Sequence, residues 1–257
     1  MSGLSNIQRV YLAGIGGIGM SALARYFHSL GVKVEGYDRT QTEITSRLME
    51  EGINIHFDDD VNLICDDFKN VPGTLVIYTP AIPKDHRELN YFLKKGFEVL
   101  KRSQALGKIA ADMHCIAVAG THGKTTISTM IAHLLHEADV PCNAFLGGIS
   151  KNLDSNLLLH KNANKVVVEA DEYDRSFLAL FPEIAVVSSA DADHLDIYGD
   201  HNSLKESFGS FVSQIKRNGC LILKKGVEIP VTENTEILTY SLDEEADFYA
   251  LNIKNTR

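Results

Sequence analysis

Three short stretches carry residue types whose spacing suits phosphate and metal chemistry. In Cys115-Ile116-Ala117-Val118-Ala119-Gly120-Thr121-His122-Gly123-Lys124-Thr125-Thr126 an apolar run enters a glycine loop bearing a lysine and paired threonines. Gly120 and Gly123 let backbone N–H groups close around an anion, Lys124 can reach outer phosphates, and the Thr125 hydroxyl can ligate the accompanying cation. The loop is shorter than G-x-x-x-x-G-K-[ST], which needs glycine where Val118 stands. A plain strand-to-helix turn is the alternative, and it gives Lys124 no role. The second stretch sets Glu169, Asp171, Glu172 and Asp174 after the apolar run 166–168. Ligands of α/β sheets gather at such strand ends, so carboxylates there suit Mg²⁺ held beside phosphates. Glu169 lies nearest the strand and is the candidate ligand, while a solvated acidic turn accounts for some of Asp171, Glu172 and Asp174. The third stretch, Ser188 to Asp196, ends an apolar run with His194 among acids. Mg²⁺ prefers oxygen ligands and imidazole suits Mn²⁺ or Zn²⁺ better, so chemistry alone leaves coordination by His194 open. There is no H-E-x-x-H, no His/Cys cluster and no G-x-S-x-G, which argues against zinc or serine hydrolysis.

A fourth motif lies near the N-terminus. Gly14, Gly16 and Gly19 satisfy G-x-G-x-x-G after a short apolar run, and Asp38 follows nineteen residues beyond Gly19. Alone, this pattern points to NAD, with pyrophosphate on the glycines and ribose on the acid. Any nucleotide diphosphate can use the same loop, and a glycine turn that packs helix on strand is the ligand-free reading.

The elements that must position these residues alternate in type. Strands are expected at 10–13, 33–38, 74–79 and 98–100, with helices over 20–30, 43–51 and 86–95. A second series starts at Cys115, with strands at 165–169, 184–188 and 220–223 and a helix over 204–215. Ile127, Met130, Ile131, Leu134, Leu135 and Ala138 recur at helical spacing, so a helix after the Lys124 loop should pack that face on a sheet. The segment 236–253 reads as short strands. Strands alternating with helices imply an α/β chain of doubly wound parallel sheets. We expect a Rossmann-like domain over 1–107 and a P-loop-type α/β domain over 108–257, with the boundary near Leu106 to Met113.

The bulk properties narrow the partners. The 257 residues suit two domains, and a formal net charge of −9 argues against duplex DNA or an anionic membrane as partner. Phosphate binding must then come from the backbone. Cys65, Cys115, Cys142 and Cys220 form no C-x-x-C pair, which suits reduced thiols in the cytoplasm. Residues 1–9 hold no apolar signal region, and no apolar run approaches the roughly 20 residues of a membrane helix.

Together the motifs resemble the Mur ligase family. The resemblance rests on Gly14-Ile15-Gly16-Gly17-Ile18-Gly19-Met20-Ser21-Ala22-Leu23-Ala24, on Gly120 to Thr126, and on Glu169-Ala170-Asp171-Glu172 followed by Asp193-His194-Leu195-Asp196, in the family's order and approximate spacing. It covers essentially the whole chain and explains the short loop, because the family uses G-T-[HN]-G-K-T. His122 and the Gly-Ile-Gly-Gly-Ile-Gly-Met opening are similar to the alanine-adding members. The resemblance implies ATP-dependent ligation of L-alanine to UDP-N-acetylmuramate through an acyl phosphate, in peptidoglycan precursor synthesis. It implies a UDP-sugar site at Gly16, Gly17, Ile18, Gly19, Asp38, Thr79, Pro80 and Ala81, with Ile82 beside them. It implies ATP binding at Gly120, Thr121, His122, Gly123, Lys124, Thr125 and Thr126, catalytic roles for Lys124, Glu169 and His194, and Mg²⁺ or Mn²⁺ at Thr125, Glu169 and His194. The family often carries asparagine five residues before the histidine, where this chain has Ser189, so the metal ligands of that strand are the least fixed part.

Family members also have a C-terminal domain that contacts ATP and the amino acid. Nothing here corresponds to it, and the central domain also lacks its final portion, so the chain is expected to be a fragment that binds the UDP-sugar with little or no ligase activity. Three alternatives remain. A murein tripeptide recycling ligase shares the G-T-H-G-K-T loop and an E-A-D-E-Y-D segment. An NAD-dependent oxidoreductase would use the first loop and Asp38 but leave Lys124, Glu169 and His194 idle. A non-catalytic nucleotide switch would need no muramyl sugar.

Overall fold

The computed structural model describes residues 4, 6–191, 200–233 and 235–254, without the side chains of Asp174 and His201. The chain divides into two compact units, one of Met1–Asp112 with Phe145–Leu159 and one of Met113–Ala144 with His160–Arg257.

The first unit is built on strands β1 (Arg9–Ala13), β2 (Lys33–Tyr37), β3 (Asn54–His56), β4 (Thr74–Tyr78) and β5 (Glu98–Lys101), alternating with helices α1 (Ile18–Ser29), α2 (Glu43–Glu50), α3 (Arg87–Lys95) and α4 (Arg102–Ala111). The strands pair in parallel in the order β3-β2-β1-β4-β5. The order reverses about β1, so the crevice beyond its carboxyl end is where such sheets take ligands. One face of the sheet carries a core of Tyr11, Val76, Phe92 and Phe97. Phe92 meets Tyr11 at 4.7 Å and Phe97 edge-on at 4.9 Å, the offset geometry that ring quadrupoles favour. α1 follows the glycine loop directly and buries Met20, Leu23, Ala24 and Phe27, which recur at helical spacing.

The second unit centres on β6 (His114–Ala119), flanked by β9 (Lys165–Glu169) and β10 (Ile184–Val187), and then by β11 (Cys220–Lys224) and β12 (Glu236–Ser241). β13 (Phe248–Tyr249) follows β12 at one end, while β7 (Cys142–Ser150) begins in this unit and continues into the first, which also holds β8 (Ser155–Leu158). β6 pairs in parallel with both β9 and β10. The loops leaving all three strands therefore share one edge of the sheet. α6 (His201–Val212) buries Leu204, Phe208 and Phe211, and Phe177 stacks on Phe211 at 5.0 Å.

The doubly wound architecture follows the alternation in the sequence. The helix after the Lys124 loop, α5 (Lys124–Glu137), differs from expectation in the face it buries. Met130 is 56% exposed and Leu134 63% exposed, while Ser128 and Ala132 are buried. Small side chains let the helix lie close to β6 and β9, which turns the larger pair toward solvent. The expected boundary segment is largely helix, with α4 running to Ala111. β7 and the edge strand β8 were not foreseen.

Candidate functional sites: two glycine loops at strand ends

In the first unit, a cavity of about 590 Å³ opens beyond β1, β2 and β4. Gly14, Gly16 and Gly17 line it from the glycine loop, Asp38 from the end of β2, and Thr79, Ala81 and Ile82 from the end of β4. Gly14 has φ +85°, and a methyl group there would lie 2.5 Å from Thr79 Cγ2, so both conformation and space require glycine. The Gly16 N–H donates to Asp38 Oδ2 at 2.7 Å, and a methyl group on Gly16 would meet that same oxygen at 2.8 Å. Asp38 thus ties down the loop that it faces. Ile18 and Gly19 open α1, whose N-cap Gly17 supplies no side-chain cap. Gly19 lies against Arg102, whose Nη1 would be 2.7 Å from a methyl group at that position. Of the eight sequence candidates, Gly16, Gly17, Asp38, Thr79 and Ala81 line the cavity, while Ile18, Gly19 and Pro80 adjoin lining residues.

Sequence reasoning missed the far wall, formed by Tyr37, Arg39, Asp59, Asp85, His86 and Arg87. Asp59 accepts the N–H groups of Arg87 at 2.8 Å and Glu88 at 3.1 Å, and His86 Nδ1 accepts that of Leu89 at 3.2 Å. These two side chains cap α3. Behind the wall, buried Glu88 accepts from Tyr11 Oη and meets His56 Nε2 at 2.7 Å. Burial, with the charge of Asp59 and Glu88, raises the Tyr37 hydroxyl above its ordinary range and keeps it a neutral donor.

In the second unit, the loops after β6, β9 and β10 meet. Lys124 Nζ donates to Gly120 O at 2.8 Å and to Glu172 Oε1 at 2.9 Å. Thr125 Oγ1 donates to Glu169 at 3.0 Å. Gly120, at φ +132°, packs so closely on Ser188 and Ser189 that no side chain fits. Ser189 Oγ lies 2.9 Å from Thr121 Oγ1 and accepts the His122 N–H at 2.8 Å, and Ser188 Oγ donates to His122 O at 2.5 Å. The two serines at the end of β10 therefore fix the loop's shape. The Asp191 N–H donates to Thr121 Oγ1 at 3.2 Å, so the Thr121 hydroxyl braces the same contact. Gly123 at φ +83° starts α5 without a side-chain cap, while Lys124 and Thr125 occupy its first turn. Thr126 is exposed.

Of the three acids among which a solvated turn was expected to cover some, Glu172 is not one it covers. It is fully buried and salt-bridged to Lys124, not part of a solvated turn. Four neighbouring acids look alike in sequence, and only the 3₁₀ segment Tyr173–Ala179 turns this one inward. Asp171 is half-buried and accepts the Tyr173 N–H at 3.1 Å. His194, with Asp193 and Asp196, lies outside the described residues. The Cys115 thiol near the start of β6 is pushed up to about 12 by burial, which makes it an inert packing group.

Family models bring these two loops into one framework. A model described as "Mur ligase family, catalytic domain" matches residues 9–114, and one described as "Mur ligase middle domain" matches residues 118–257. The chain belongs to the Mur ligase family. Among Mur ligase relatives, the UDP-N-acetylmuramate–L-alanine ligase of Parabacteroides distasonis is 52% identical over 253 residues, covering 98% of this chain and 55% of that protein. The protein of the same name from Phocaeicola vulgatus is 53% identical over 253 residues, with 98% and 55% covered. The chain thus spans about half the length of the relatives it matches. A solved UDP-N-acetylmuramate–alanine ligase from Thermotoga maritima is 28% identical with a TM-score of 0.79, over 92% of this chain and 53% of that one. A murein peptide ligase from Psychrobacter arcticus is 25% identical with a TM-score of 0.79, over 96% and 56%. In this Mur ligase chain, no helix among the described residues is long and apolar enough to cross a membrane.

Proposed function

We propose that the chain supplies the UDP-sugar-binding and ATP-binding parts of an ATP-dependent ligase that joins L-alanine to UDP-N-acetylmuramate. The observation that carries this reading is the union of Lys124, Thr125 and Glu169 at one strand edge in a Mur ligase chain. Identity of 52% over 98% of the chain to an alanine-adding relative supports the amino acid and the sugar. The first cavity takes the nucleotide, with the diphosphate on Gly16, Gly17, Ile18 and Gly19, and the nucleoside between Asp38 and the Thr79–Ala81 segment. The loop from Gly120 to Thr126 cradles the ATP phosphates through its backbone N–H groups, and Lys124 Nζ contributes positive charge.

In the reaction, a carboxylate oxygen of the lactyl group attacks the γ-phosphorus, and the bond to the β,γ-bridging oxygen breaks to release ADP. The alanine amine then adds to the acyl phosphate carbonyl, phosphate leaves, and the ammonium proton passes to solvent. Two anions must approach one another, so the protein's part is positioning and charge compensation. Lys124 offsets the repulsion and holds the γ-phosphoryl oxygens. The hydroxyl of Thr125 and carboxylate of Glu169, 3.0 Å apart, form an oxygen pair that suits a hard divalent cation, and His194 would extend that set. Mg²⁺ or Mn²⁺ there would neutralise charge on the transferring group. ATP and the UDP-sugar are cytoplasmic metabolites, and we assign the chain to that compartment.

Calorimetric titration with ATP and Mg²⁺ tests the second loop. Wild type should bind the nucleotide and Lys124→Ala should not; equal affinity in both would remove the phosphate role of this loop.

A further inference from the structure

We propose that Asn156, on β8, is a positioning residue that sets the glycine loop for diphosphate binding. The residue is 1% exposed. Its Nδ2 donates to Ile18 O at 2.6 Å and to Ser21 Oγ at 3.0 Å, and its Oδ1 accepts from Arg25 Nη1 at 2.8 Å. The amide orientation is fixed by this pattern, because the guanidinium can only donate and the carbonyl can only accept. Arg25 is held in turn by Glu51, with Nε 2.9 Å from both carboxylate oxygens. A chain that runs from exposed Glu51 through half-buried Arg25 to buried Asn156 therefore ends on the first turn of α1.

That turn is the part of the loop on which an anion depends. Ser21 N donates to Gly17 O at 2.8 Å, and Ser21 Oγ donates to Ile18 O at 2.9 Å. Gly17 supplies no side-chain cap, so nothing on its own side chain fixes the direction of the first N–H groups. Asn156 grips both Ile18 and Ser21 from outside the helix and supplies that constraint. An error of a few tenths of an ångström in donors that converge on a diphosphate costs affinity, whereas the nucleoside pocket at Asp38 and Thr79 has its own supports. The proposal rests on the reading of this loop as a diphosphate site.

The test compares UDP with uridine by calorimetry on the whole chain. Wild type should prefer UDP, Asn156→Ala should weaken UDP about tenfold with uridine unchanged, and Ser21→Ala should give a smaller loss in the same direction. Ser21→Ala removes a single hydroxyl, with its donation to Ile18 O and its acceptance from Asn156, so it keeps the test open if Asn156→Ala does not fold. A purely architectural role for Asn156 would lower both affinities together or neither. The proposal is overturned if the folded variants retain the wild-type ratio of UDP to uridine affinity, or if uridine falls in step with UDP. A wild type that does not prefer UDP would instead overturn the diphosphate reading itself.

Discussion

Replacing Lys124 by methionine separates what the lysine does for the fold from what it does for phosphate. Its Nζ lies 2.9 Å from Glu172 Oε1, with the two side chains 15% and 0% exposed. At an effective dielectric of about 20, a charge pair at that distance interacts by roughly 6 kcal/mol. Residual solvent at the lysine and the other contacts of Glu172 reduce this, and we expect Lys124→Met to destabilise by about 3 kcal/mol, the lower end for breaking a buried pair. The double variant Lys124→Met with Glu172→Met removes both charges and should return to within about 1 kcal/mol of wild type. Neither variant should bind ATP. Urea unfolding followed by circular dichroism, with exchange of the β6 amides to localise the effect, reads the stability. A single variant as stable as wild type would refute the buried pair, and ATP binding by the double variant would refute the phosphate role.

Other perturbations probe the remaining contacts. Gly16→Ala would set a methyl group 2.8 Å from Asp38 Oδ2, so UDP affinity should fall at least about tenfold with ATP affinity unchanged, both read by calorimetry. Tyr11→Phe removes a buried donor to Glu88 and should cost about 1 to 2 kcal/mol in urea unfolding. Cys65 is exposed, but a hydrogen bond to Glu35, followed by burial, raises its thiol above the ordinary value. Its thiolate fraction at pH 8 is therefore reduced, and iodoacetamide alkylation should be slow there and quicken with rising pH. Glu35→Gln should speed it at pH 8, while Cys115 and Cys142 stay unlabelled in the folded chain, as mass spectrometry would report.

Strand ends and glycine loops were legible in the sequence because they are local. A parallel strand reads as an unbroken apolar run, and the residues that follow it are bound to lie at a sheet edge, which placed Gly120, Lys124 and Glu169 correctly relative to one another. The burial of Glu172 was not legible, since its neighbours Asp171 and Asp174 carry the same charge and only the inward turn singles it out. Distance along the chain hid others. Asn156 lies 138 residues from Ile18, and Asp59 lies 28 residues from the helix start that it caps. The face of α5 was misread because hydrophobic spacing weighs Met130 and Leu134 above Ser128 and Ala132, while close packing on a sheet selects the smaller pair.

Thermal stabilisation by UDP-N-acetylmuramate, UDP, NADH and ATP with Mg²⁺, measured in parallel on this chain, tests the central claim most directly. A ligand at 100 times its dissociation constant stabilises by about 2.7 kcal/mol. The midpoint should rise with the UDP-sugar and with ATP and stay unchanged with NADH. A rise with NADH alone would contradict it and return the first glycine loop to the dinucleotide-binding dehydrogenases.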